Sequence, residues 1–349
     1  MKSSAFDNEA VGANLVAFLR QKTGSDAVVS GLKRYTVGFS WMTFGFDVEW
    51  KDPEKAGRPR RESLILRLGP PTGLFAPYQA FPQFAALQAF HGTAVPVPRP
   101  HWYGEDSDAF GAPFFICDRV EGEAPLPWVS EGKEAFPPDV RESLAEQFVA
   151  ALAALHRFDW HGTALEKLGP AVDERSAAAE QLRFWGDLLE RWSFRPYPML
   201  EWTLSWLKAH QPVAPRVTVV HGDYRTGNFL ESGGRITAIL DWELVHLGDP
   251  LEDLGWVCMR SFRGRSPYMC HLMERDRFYE RYAELSGIPV SRETVRFYEA
   301  LGTFKLAVIH VAAARCFEDG LFKDLRLATL GIHLPRLILQ IESTIEGKA

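Results

Sequence analysis

Three oxygen-bearing side chains fall close together in one stretch of this 349-residue sequence. Asp223 and Asn228 lie in H-G-D-Y-R-T-G-N-F-L (His221 to Leu230), and Asp241 follows shortly in I-L-D-W-E (Ile239 to Glu243). A carboxylate within reach of a hydroxyl can orient it and accept its proton as it attacks. A second carboxylate and an amide oxygen are hard donors of the kind magnesium prefers. These parts suit phosphoryl transfer, whose loose, highly charged transition state needs positioning and charge neutralisation more than covalent help. A zinc site on His221 and Asp223 would need a third nitrogen or thiolate close by, and the sequence offers none.

Such groups must be held at the ends of rigid elements. Asp223 follows the apolar run Val217 to Val220, which reads as a strand from Val217 to His221. Asn228 opens a second short strand, Asn228 to Glu231, and Asp241 ends a third, Arg235 to Leu240. A hairpin-like loop between them brings all three to one edge, and Gly222 and Gly227 allow backbone angles closed to other residues. Upstream, Phe6 to Arg20 has helical spacing with Gly24 as a stop. Val28 to Trp50 reads as strands around a turn, Lys51 to Glu62 as a charged loop, and Ser63 to Leu68 as a strand. Pro77 to His91 reads as a helix, and His101 to Tyr103 and Pro113 to Val120 as further strands. Beyond a proline-rich linker, Glu123 to Pro138, the chain is mostly helical: Val140 to Phe158, Ser176 to Trp192, Met199 to His210, and most of Leu251 to Ile345. The expected class is α+β with two lobes, 1–122 and 123–349.

Composition narrows the function classes. Apolar residues make up 46% and charged residues 24%, which supports a sizeable core. The net charge is −6 and no basic stripe stands out, against a nucleic-acid partner. Cys117, Cys258, Cys270 and Cys316 form no C-x-x-C pair and read as thiols of a reducing cytoplasm. Met1 to Asn8 lacks a signal-peptide pattern, and no long uninterrupted apolar run marks a membrane span.

The motif H-G-D-x-x-x-x-N, followed by a short strand ending in Asp and by L-G-D-P-L-E-D-L, resembles the aminoglycoside phosphotransferase-like family of the protein-kinase-like fold. More narrowly, the chain resembles the branch related to the kinase-like domain associated with acyl-CoA dehydrogenases. The resemblance implies an ATP- and magnesium-dependent small-molecule kinase, with 1–122 as the nucleotide-binding lobe and 123–349 as the catalytic and substrate-binding lobe. It makes Asp223 the catalytic base, Asn228 and Asp241 the magnesium ligands, and His221 the brace of the loop. Arg67 stands where most relatives of the fold place a phosphate-binding lysine, and Gln83 where a glutamate partner is usual. The turn Thr36 to Ser40, including Ser40, takes the phosphate-covering position, and backbone groups from Asp118 to Val120 take the adenine-facing hinge.

Around these residues, Asp249 and Asp253 read as helix-start caps and internal pins rather than as ligands. Tyr224 and Arg225 either touch substrate or pack the loop. The tryptophans and phenylalanines in Trp185 to Trp206 and in Trp256 to Phe262 either line a substrate cleft or belong to the core. Arg260, Arg263 and Arg265 either form a solvated helix end or receive an anionic substrate. The implied acceptor is a small-molecule hydroxyl, foremost that of a hydroxy acid or hydroxyacyl-CoA. The alternatives are an aminoglycoside or other antibiotic as acceptor, and a catalytically weak or inactive ATP-binding protein. Protein phosphorylation is disfavoured because no A-P-E segment follows Asp241.

Overall fold

The computed structural model describes residues 6–36, 40–52, 58–105, 109–126, 135–321 and 324–348. Its contacts divide the chain into two compact units, Met1–Gln88 with Pro98–Val120, and Ala89–Val97 with Glu121–Ala349.

The first unit begins with α1 (Asn8–Thr23), capped by the Asp7 carboxylate on the Ala10 N–H at 2.9 Å and ended by Gly24 in a left-handed conformation. Strands β1 (Ala27–Tyr35), β2 (Met42–Asp52), β3 (Arg58–Leu68), β4 (Pro100–Gly104) and β5 (Phe114–Asp118) form one antiparallel sheet in the order β1-β2-β3-β5-β4. Successive strand residues point to opposite faces. Leu64, Leu66 and Leu68 of β3 therefore join Phe44, Phe46, Phe114 and Ile116 in a core covered by Leu15, Phe18 and Leu19 of α1. Ile65 and Arg67 belong to the other face. Helix α2 (Phe81–Phe90) has no acidic residue in its first turn. Glu105, just past β4, serves instead, accepting the Ala80 N–H at 2.9 Å and the Phe81 N–H at 2.5 Å.

One expectation is corrected here. Lys51 to Glu62 is not simply a loop, because β2 runs to Asp52 and β3 starts at Arg58, with Asp52 opposite Arg58. Charge does not prevent pairing here, and Arg61 meets Glu49 across the ladder at 2.6 Å. Residues 53–57 lie outside the described ones.

The second unit contains α3 (Pro138–Arg157), α4 (Ala177–Trp192), α5 (Pro198–Ala209), β6 (Thr218–Val220), β7 (Phe229–Ser232), β8 (Arg235–Ile239), β9 (His246–Gly248) and α6 (Leu251–Cys258). There follow β10 (Tyr268–Met269), β11 (Met273–Glu274), α7 (Arg275–Ser286), α8 (Arg292–Glu318) and α9 (Leu325–Ile345). The strands pair as three small antiparallel ladders, β6 with β9, β7 with β8, and β10 with β11. The amphipathic α3 buries Leu144, Phe148, Leu152 and Leu155. Helix α8 has the length and apolarity of a membrane-crossing segment, but 72% of that window is buried inside the protein, as in a core helix packed on all sides.

The stretch expected as a linker is partly tied down. Glu123 exchanges two backbone hydrogen bonds with Glu231 of β7, each 2.9 Å. Gly122 is needed there, since a Cβ would stand 2.8 Å from the Glu231 carbonyl oxygen. Residues 127–134 lie outside the described ones. All four cysteines are buried and unbridged.

Candidate active site

The β7–β8 hairpin sets two of the candidate residues side by side. Phe229 pairs with Ile239, and the next pair outward is closed by the Leu240 N–H donating to the Asn228 carbonyl at 2.7 Å. Asn228 and Leu240 are thus neighbours across the ladder, and Asp241 is the first residue beyond it. Asp241 has φ 64 and ψ 57, a left-handed conformation that costs a non-glycine residue about 1–2 kcal/mol. It turns the chain into a short helical turn, Trp242–Leu244. The Trp242 indole anchors that turn, donating to the Ile239 carbonyl at 3.1 Å, stacking on Phe90 and packing against His221.

Asp223 lies in the loop between β6 and β7. Its Oδ1 accepts from Arg225 Nε at 2.8 Å and from Trp256 Nε1 at 2.7 Å. Its Oδ2 accepts from Asn228 Nδ2 at 2.5 Å, and the same amide nitrogen donates to the Asp223 backbone carbonyl at 2.9 Å. Both partners of that nitrogen are acceptors, which fixes the orientation of the amide. The Asn228 carbonyl oxygen is therefore the end not turned to Asp223. Burial opposes the charge on Arg225, but the Asp223 carboxylate outweighs it and holds the guanidinium's pKa above the usual arginine value.

His221 is fully buried. Its Nε2–H donates to the Leu240 carbonyl at 2.9 Å while Nδ1 accepts the Asp223 N–H at 3.2 Å, so each ring nitrogen has one fixed role. Burial lowers its pKa against the opposing pull of Asp253 and Asp223. The histidine thereby ties the strand that leads to Asp241 to the loop that carries Asp223. Gly222 beside it has φ 82, and a Cβ there would stand 2.6 Å from the Leu244 carbonyl oxygen.

Beneath the loop, Asp253 of α6 is completely buried. It accepts the His221 N–H at 2.8 Å, the Gly222 N–H at 2.9 Å and His156 Nε2–H at 3.1 Å. Burial alone would raise its pKa, but the His156 and His221 donors hold it below the usual aspartate value. Asp253 is an internal pin. Asp249 is a helix-start cap, accepting the Leu251 N–H at 2.9 Å.

Several residues with two sequence readings resolve toward packing. The Tyr224 hydroxyl is buried and donates to the Phe148 carbonyl at 2.8 Å. Trp185, Trp256 and Phe262 are core residues. Arg263 donates to the carbonyls of Cys258 and Ser266, while Arg260 is exposed. Arg225 lies over the Phe262 ring, 5.1 Å from its centroid.

The remaining site candidates belong to the first unit. Arg67 sits opposite Thr43 and Phe115 on the sheet face away from α1. Gln83 is buried on α2. Asp118 ends β5, its carboxylate accepting His101 Nε2–H at 2.6 Å and its N–H donating to the Arg99 carbonyl at 2.9 Å. Val120 closes the unit two residues later, and Ser40 stands just before β2. The middle of the turn Thr36 to Ser40, residues 37–39, lies outside the described ones.

Trp256 and Asp253 were not legible as partners of the loop, although Glu252, Asp253 and Trp256 within little more than one turn of α6 hinted at a helix with several attachments. The donor set fits magnesium: an amide carbonyl and a carboxylate on adjacent positions of one hairpin, both hard oxygens.

A family model described as phosphotransferase enzyme family (APH) matches residues 55–298. Among curated proteins, the chain is similar to acyl-CoA dehydrogenase family member 10 of Mus musculus, 27% identical over 278 residues, covering 76% of this chain and 25% of that protein. It is similar to family member 11 of Rattus norvegicus, 27% identical over 266 residues, covering 71% of this chain and 33% of that protein. The chain thus spans a quarter to a third of the length of these relatives. Among solved structures, a Ralstonia eutropha protein assigned as an aminoglycoside phosphotransferase superposes with a TM-score of 0.72 at 23% identity, covering 96% of this chain and 98% of that one. Aminoglycoside phosphotransferase APH(4)-Ia, in a ternary complex with ADP and hygromycin B, superposes with a TM-score of 0.59 at 19% identity, covering 96% and 99%. The fold is the kinase-like phosphotransferase fold expected from the sequence, with a β-rich first part and a mostly helical second part.

Proposed function

The chain belongs to the phosphotransferase enzyme family, and from that premise we propose that it moves the γ-phosphoryl group of ATP onto a hydroxyl of a small molecule, with Asp223 as the base. The hydrogen bonding of the Asp223 carboxylate carries this reading. Oδ1 accepts from two donors, Arg225 and Trp256, which occupies both of its lone-pair directions. Oδ2 accepts from Asn228 alone among the described residues, so it keeps a direction for an incoming hydroxyl. The donors on Oδ1 hold the carboxylate plane still. The acceptor hydroxyl donates to Oδ2, its oxygen attacks the γ-phosphorus, and its proton passes to Oδ2 as the new P–O bond forms and ADP leaves.

The Asn228 carbonyl and the Asp241 carboxylate would hold magnesium, which neutralises phosphate charge when bound. The nucleotide contacts proposed on the first unit are Arg67 as a guanidinium fork for phosphate, Ser40 in the phosphate-covering turn, and the backbone at Asp118 and Val120 for adenine. The acceptor class is a hydroxy acid or its CoA thioester. The curated relatives, named as acyl-CoA dehydrogenase family members, support that choice over an aminoglycoside.

The test is ADP formation from Mg·ATP with a panel of hydroxy acids, hydroxyacyl-CoAs, amino alcohols and aminoglycosides, each product identified by mass. Asp223→Asn is expected to lower turnover by roughly 10²–10⁴-fold, the range of a lost general base. Full turnover in that variant refutes the base assignment. Turnover confined to aminoglycosides refutes the acceptor class.

A further inference from the structure

We propose that Lys305 is a positioning residue for the catalytic base, acting through Trp256. This deepens the phosphotransferase reading and rests on Asp223 being its base.

Lys305 lies on α8 and is only 1% exposed, a rare setting for an ammonium group. Its Nζ pairs with Glu252 Oε1 at 2.7 Å, and Glu252 Oε2 is shared with His246 Nε2 at 3.2 Å. The same Nζ stands 5.0 Å from the Trp256 ring centroid and 5.2 Å from that of Trp185. These distances are within the roughly 6 Å reach of a cation–π interaction, and the site is buried, where such contacts are strongest. Trp256 is itself buried and directs its indole N–H at Asp223 Oδ1, 2.7 Å away.

The chain of contacts is thus ammonium, indole face, indole N–H, catalytic carboxylate. A cation over the face draws electron density from the ring and makes its N–H a better donor to an anion. It also fixes the plane of the ring, on which the direction of the N–H depends. A buried ion pair is weak evidence for stability, since apolar residues of similar size often stabilise a core as well. Pinning α6 to α8 would need no charge in this place. Setting the direction and strength of a hydrogen bond to the base does.

Two measurements test this. With the indole nitrogens labelled, Trp256→Phe deletes one of the eleven tryptophan N–H resonances and so assigns it. Exchange of that N–H with deuterium should quicken in Asp223→Asn, which weakens its acceptor. It should also quicken, by roughly tenfold or more, in Lys305→Met, where that bond loses the cation that polarises the indole and the contact that fixes its ring plane. Lys305→Arg should restore slow exchange. In turnover with the best acceptor of the panel, Trp256→Phe and Lys305→Met should each lower kcat by roughly tenfold with KM for ATP unchanged, and the double variant should be no slower than Trp256→Phe alone. Unchanged exchange in Lys305→Met, or kcat losses that multiply in the double variant, overturns the proposal. If Lys305→Met does not fold, Lys305→Met with Glu252→Gln, which leaves no unpaired buried charge, is measured in its place. Full turnover in Asp223→Asn would overturn the base assignment, whereas an inactive Asp223→Asn with unchanged exchange in Lys305→Met overturns only the role of Lys305.

Discussion

Substituting Asp253→Asn removes one acceptor oxygen from beneath the loop that carries the proposed base, Asp223, while keeping the size of the side chain. The carboxylate now serves three donors, the His221 and Gly222 N–H groups and His156 Nε2–H. Asparagine has one oxygen, and its best orientation puts that oxygen where Oδ2 stands, keeping His221 and His156. The amide nitrogen then faces the Gly222 N–H, donor against donor, in a site with no access to water. A lost charge-assisted hydrogen bond costs about 1.5–3 kcal/mol, and an orphaned buried N–H about 1–3 kcal/mol. Removing the charge itself offsets part of this, because a buried carboxylate is expensive to desolvate. The expected net loss is about 2–4 kcal/mol. Urea unfolding followed by tryptophan fluorescence should show a midpoint lower by about 1 M. Turnover should fall by about tenfold or more, since Asp223 is one residue beyond the backbone that comes loose. A variant with the wild-type midpoint and wild-type turnover would refute the view that Asp253 anchors the loop.

Two further outcomes follow from the same geometry. Gly222→Ala combines a left-handed φ of 82 with a Cβ 2.6 Å from the Leu244 carbonyl, so a melting-temperature drop of several degrees and near-complete loss of turnover are expected, and a variant that melts like wild type would contradict the close packing of the loop. Burial alone would raise the Glu252 pKa, but Lys305 and His246 hold it down at about 2 from the usual 4.5. A depressed native value means the unfolded chain binds the proton first as pH falls, so this contribution, on the order of 3 kcal/mol, is complete above about pH 4.5 and is lost on the way down to about pH 2. Urea midpoints between pH 6 and pH 2.5 should converge for wild type and Glu252→Gln, and parallel curves would assign the acid sensitivity to other groups.

Asp223, Asn228 and Asp241 could be grouped from the sequence because what joins them is local. A hairpin of two short apolar strands, Phe229–Ser232 and Arg235–Ile239, puts its flanking residues together through adjacent ladder hydrogen bonds. Strands β9, β10 and β11, of two or three residues, are too short to carry any period and went unseen. The charged ends of β2 and β3 looked like loop because exposed strand is as polar as loop, and only the opposing strand makes it pair.

What holds Asp223 in place was decided by the tertiary structure. Trp256 and Asp253 of α6 reach the loop, and His156 of α3 and Lys305 of α8 reach those two in turn, at sequence separations where no spacing rule applies. A side chain's type shows which hydrogen bonds it can make. Which ones it does make depends on how the helices pack, and that packing is the sum of many apolar contacts no single motif records.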